Sequence, residues 1–180
     1  MRMDDLGLAL KFAGGAPVLT DGSVIEGYAS LFGLADQGGD IVSAGAYAAS
    51  LKRLAGRGDK VRMLWQHDPA QPIGIWEEIR EDAKGLWVKG RLLPEVAQAR
   101  EAAALIAAGA IDGLSIGYRT VRAERDAQGR RVLTEVELWE VSLVTFPMLR
   151  EAKVGRKSGA PEADRDFAAA LRAATAALRG

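Results

Sequence analysis

The chain has 180 residues, 48% of them hydrophobic and 27% charged, which is enough for one domain with a buried core. Its 24 basic and 24 acidic residues cancel, so no cationic excess points to nucleic acid or to a membrane surface. With no cysteine and a single histidine, disulfides, thiol nucleophiles and sulfur-ligated zinc are excluded, and no apolar run approaches the ~18 residues of a bilayer span. Met1–Asp5 lacks a signal-peptide pattern, and the expected setting is cytosolic.

Residues Ser23 to Phe32 are rich in β-formers between glycines and predict a strand, followed by a loop over Gly33 to Gly39. Ser43 is the expected N-cap of a short helix in which Tyr47, Leu51 and Leu54 share a face, and Arg57–Gly58–Asp59 ends it. Val61 to Gln66 then predicts a strand leading into His67, with Pro69 and Pro72 breaking regular structure just beyond. Ile73 to Arg80 and Gly85 to Leu92 read as a hairpin joined through Glu81–Lys84. Pro94 is placed to open a helix reaching about Ala108, with Val96, Ala99, Ala103 and Ile106 as its stripe and Gly109 as its stop.

Two further strands are expected, Ile111 to Arg122 and Val132 to Phe146, turning at Asp126–Gly129. A Gly/Ser/Pro-rich stretch around 155–164 predicts a linker, and Phe167, Leu171, Ala174 and Leu178 an amphipathic helix after it. The chain thus divides into a domain over 1–154 and a linker with a C-terminal helix over 155–180. About six strands with inserted helices predict an α+β fold built on an antiparallel barrel.

The lone histidine, His67, ends an apolar run, and imidazole is the usual proton shuttle near neutral pH. Period-two alternation predicts that Val136, Leu138, Glu140, Ser142 and Val144 share one face of the last strand. Glu140 then interrupts an apolar face and needs a partner, either His67 or an arginine. On the preceding strand Gly113, Ser115, Gly117 and Arg119 share a face, so Ser115 stands in a cleared row where another backbone, such as an extended peptide, can approach. Serine, imidazole and carboxylate are the nucleophile, base and orienting acid of acyl transfer. Asp68 and Asp112 are weaker candidates than Glu140 for the acid.

Three ordered segments resemble the prohead maturation proteases of tailed bacteriophages. They are Trp65–Pro69 with Pro72–Ile73–Gly74, then Gly113–Tyr118, then Val141–Pro147. Gly27–Tyr28–Ala29, Gly39–Asp40 and Gly45–Ala46–Tyr47 fit the family's opening strand and helix, and the resemblance spans about 23–153. It implies a fold like herpesvirus assemblin, an antiparallel β-barrel surrounded by helices, with an acidic third residue in place of a second histidine. The implied activity is a serine endopeptidase with His67, Ser115 and Glu140 as catalytic residues and no metal or cofactor. Its implied partners are the major capsid protein, through its scaffolding segment, and the chain itself. The implied location is the assembling procapsid in a bacterial host, of a phage or a prophage-like gene transfer agent. Phe146 to Arg150 is the expected source of oxyanion donors. The alternative is a non-catalytic scaffold component with the same fold. A hydrolase with a Gly-x-Ser-x-Gly elbow is rejected, because a strand rather than a helix follows Ser115 and the histidine precedes it.

Overall fold

In a computed structural model, residues 9–13, 18–20, 22–36 and 38–146 are described, with side chains from 22 onward. The expected linker, the C-terminal helix and residues 147–150 lie outside them. Nine strands and two helices follow in the order β1 (Ala9–Ala13), β2 (Val18–Thr20), β3 (Val24–Leu31), β4 (Ile41–Val42), α1 (Ala48–Arg57), β5 (Arg62–Trp65), β6 (Asp68–Glu81), β7 (Gly85–Leu92), α2 (Ala97–Ala107), β8 (Gly113–Arg125) and β9 (Arg131–Val144).

The strands form one sheet in the order β1-β8-β9-β5-β6-β7-β3-β2, with β4 attached to β9, curled into a half-barrel. The expectation of an antiparallel barrel surrounded by helices is corrected here. β4 and β5 both run parallel to β9, so the sheet is mixed, and two helices accompany it among the described residues. Parallel pairing is allowed by connectivity, because a long stretch of chain from residue 66 to 130 separates β5 from β9 and no tight turn forces them antiparallel. The inner face is filled by Ile25, Met63, Ile73, Leu86, Leu114, Ile116, Leu138 and Leu143, each essentially inaccessible to water. Burial of a side chain of this size contributes ~1.5–3 kcal/mol.

Several local expectations change. Ser43 does not cap α1: its hydroxyl donates to the Leu133 carbonyl 3.1 Å away, tying the β4 end to β9. The helix begins after Tyr47 with no side-chain cap and ends on Gly58, whose φ of 70° is the left-handed stop that glycine supplies. Pro94 does not open α2, which starts three residues later, after the extended Val96. Pro69 and Pro72 do not end the strand either; both lie within β6. They are tolerated because the β5–β6 register is irregular there: Trp65 pairs with Asp68 and Leu64 with Pro72, so residues 69–71 have no partners on β5.

Candidate active site

The site is built where β5, inserted between β9 and β6, turns back on itself. Gln66 and His67 form the two-residue connection between β5 and β6, and both have positive φ, 52° and 61°. Two left-handed residues in a row define the turn that matches strand twist, and such turns ordinarily select Asn-Gly. Gln-His is a costly choice, on the order of 1–2 kcal/mol per residue, and it is held by bonds to β9 and to Thr145 just past its end. The Gln66 backbone N–H donates to the Leu143 carbonyl at 2.9 Å. The Gln66 side-chain amide donates to the Thr145 hydroxyl at 2.6 Å and accepts the Thr145 N–H at 3.3 Å.

This clamped turn brings His67 to Glu140. Imidazole Nδ1 lies 2.6 Å from Glu140 Oε1, and both side chains are more than nine-tenths buried. The carboxylate's other oxygen, Oε2, accepts the Ser142 hydroxyl at 2.5 Å, and the Ser142 oxygen in turn accepts the His67 backbone N–H at 3.3 Å. A buried carboxylate is costly unless charged or polar groups surround it, and Glu140 has both oxygens engaged. Neither Asp68 nor Asp112 takes that place. Asp68 accepts the Ala70 N–H at 2.9 Å and the Gln71 amide at 2.8 Å. The Gln71 bond, then the Ala70 one, holds its carboxyl below the usual range.

Ser115 is fully buried on β8 and pairs with Ser142 across the β8–β9 ladder, while Gly117 pairs with Glu140. Paired residues share a face, so Ser115, Ser142, Gly117 and Glu140 form one polar patch. The reading of β9 as a single alternating face is therefore corrected. Gly117 pairs with Glu140 but the next residue, Tyr118, pairs with Leu138, so Trp139 is an extra residue. This bulge resets the alternation. Leu138 joins Tyr118 and Ile116 in the core, and Glu140 faces away from them instead of interrupting them. Gly117, one of the two glycines flanking Ser115, makes room for the acid. A Cβ at Gly117 would overlap the Glu140 carboxylate, so the space there is taken by an acid of the same molecule and not by a visiting peptide backbone.

The Ser142 hydroxyl proton is directed at the Glu140 carboxylate. In general, an imidazole whose Nδ1–H is donated to a carboxylate presents Nε2 as the proton-accepting nitrogen of the ring. Gln66, Ser142 and Thr145 were not singled out by the sequence. Only Ser142, two residues after Glu140 on the same strand face, carried a legible signal.

A cleft of about 500 Å³ opens beside this patch between α1 and the β5–β9 pair, with Leu64, Pro69, Leu138 and Glu140 among its walls. Among the described residues no three His, Asp or Glu side chains converge as a metal site, and no helix is long and apolar enough to cross a membrane.

A family model described as caudovirus prohead serine protease matches residues 16–164. The chain is 34% identical to the prohead protease of Enterobacteria phage HK97 over 134 residues, covering 73% of this chain and 58% of that protein. It therefore spans less than two thirds of the length of this relative. Among solved structures, the bacteriophage T4 capsid assembly protease gp21 shares the fold, with a TM-score of 0.61 at 18% identity over 78% of this chain and 98% of that one.

Proposed function

This chain belongs to the caudovirus prohead serine protease family, and we propose that it is a serine endopeptidase of procapsid maturation in which Ser115 is the nucleophile, His67 the general base and Glu140 the orienting acid. The observation that carries this reading is the 2.6 Å bond between His67 Nδ1 and Glu140 Oε1, on the patch that Ser115 shares. In the mechanism, Glu140 holds the imidazole in the Nδ1–H tautomer. Nε2 takes the Ser115 proton as Oγ attacks a peptide carbonyl, and then delivers it to the leaving amine. Water repeats the sequence to release the acyl group from Ser115.

The substrates of this reading are the scaffolding segment of the major capsid protein and the chain itself, cleaved inside the assembling procapsid. The cleft beside Glu140 seats part of the substrate segment. On this reading the catalytic unit lies within residues 1–154. Oxyanion donors are assigned to Phe146–Arg150, of which only Phe146, strongly exposed, is among the described residues.

The test is intact-mass measurement after co-expression with the matching major capsid protein, for wild type and Ser115→Ala. Discrete truncation of either protein in wild type and none in the variant is the expected result, a rate loss of about 10⁴-fold or more. Equal cleavage in both removes Ser115 as nucleophile. No cleavage in either, with the chain still bound to capsid protein, replaces the protease with a scaffold component.

A further inference from the structure

We propose that Ser142 is a positioning residue that latches the strained His67 turn to the Glu140 carboxylate, a role that deepens the protease reading and rests on His67 being its base. The hydroxyl has one proton and spends it on Glu140 Oε2, and its oxygen receives the His67 backbone N–H. One atom thus fixes both partners of the His67–Glu140 bond, the acid through its second oxygen and the base through its main chain. The residue is fully buried, so water does not stand in for it.

The need for such a latch comes from the turn. His67 sits at φ 61°, a conformation that a non-glycine residue leaves unless its surroundings hold it. The Gln66–Thr145 pair holds the outer half of the turn, at the surface. Ser142 holds the inner half, where the imidazole is. Without its hydroxyl, Oε2 is a buried anionic oxygen lacking this donor, and the carboxylate rotates away from Nδ1 to find another.

A single histidine makes this measurable. In full-length protein labelled with ¹⁵N-histidine, every imidazole signal belongs to His67. Wild type and Ser115→Ala are expected to show a slowly exchanging, far-downfield Nδ1–H proton. In Ser142→Ala that proton is expected to broaden by exchange with water. Labelling of Ser115 by a fluorophosphonate should slow about 10–100-fold alongside it. Ser142→Cys fills nearly the same space with a weak donor and should behave like the alanine variant, which keeps the test valid if Ser142→Ala fails to fold. A protected Nδ1–H with labelling within about twofold of wild type in a folded Ser142 variant overturns the latch. A wild type that is never labelled at Ser115 overturns the protease reading instead, and the imidazole signal alone then decides the latch.

Discussion

Two carboxylates in this protein each accept a hydroxyl, and they serve opposite ends. Asp82, in the β6–β7 turn, accepts the Tyr28 hydroxyl at 2.7 Å and the backbone N–H groups of Lys84 and Gly85 at 2.8 and 3.2 Å. Glu140 accepts the Ser142 hydroxyl and the His67 ring. Asp82 is partly open to solvent and its partners include main-chain donors that never titrate, so it organises a turn. Glu140 is buried, and its second partner is a base on a strained turn beside a serine. On the proposed mechanism the same bond acts structurally at Asp82 and chemically at Glu140, according to whether the partner can exchange a proton and whether water is shut out.

The sharpest way to break this comparison is to neutralise each acid in turn. Glu140→Gln should lower kcat for cleavage of the proposed capsid-protein substrate by about 10³–10⁴-fold, because an amide favours the wrong imidazole tautomer. Asp82→Asn should leave kcat within about twofold. Equal losses would mean that both act through the fold alone.

Gly117→Ala comes next. Its Cβ displaces the Glu140 carboxylate, and kcat should fall by about 10²-fold. The overlap is also expected to destabilise the fold by ~1–3 kcal/mol, read by denaturant unfolding. Unchanged kinetics would show that the acid's position is not what matters.

Acid sharpens the other half. The Tyr28 hydroxyl first, then the Lys84 and Gly85 N–H groups and the Arg80 guanidinium, hold the Asp82 carboxyl down to about 2. A depressed carboxylate stabilises the folded state at pH values above its unfolded pKa of ~3.9, and that contribution is lost as pH falls through the folded value. The stability difference between wild type and Asp82→Asn should accordingly be full above about pH 5 and shrink towards pH 2. A difference that does not vary with pH would detach Asp82 from this role. The smallest effect is expected for Tyr28→Phe, a slight fall in Tm with cleavage unaltered; lost cleavage would tie the turn to the site.

Much of the fold was open to reading because it rests on local chemistry. The β6–β7 hairpin, the Asp126–Gly129 turn and the Gly58 and Gly109 stops follow from turn residues and periodicity within a dozen positions. His67 stood out as the lone imidazole, Ser115 as a serine between glycines, and Glu140 as a carboxylate among apolar neighbours. Even so, the break that Glu140 makes in an apolar face depends on an unbroken alternation, and the bulge at Trp139 removes it.

What only the tertiary structure decided concerns strands far apart in sequence. The parallel insertion of β5 beside β9, the pairing of Leu64 with Ser142, and the bulge that sends Leu138 inward and leaves Glu140 facing Gly117 leave no local mark. Register and bulges are set by which strands meet and how their side chains fill the shared space. For the same reason β1, β2 and β4 went unread: they are three short strands, two to five residues long, that exist through the partners they pair with. The residue types at the candidate site were written in the sequence. Their meeting, and the left-handed turn that delivers the histidine to the acid, came from packing.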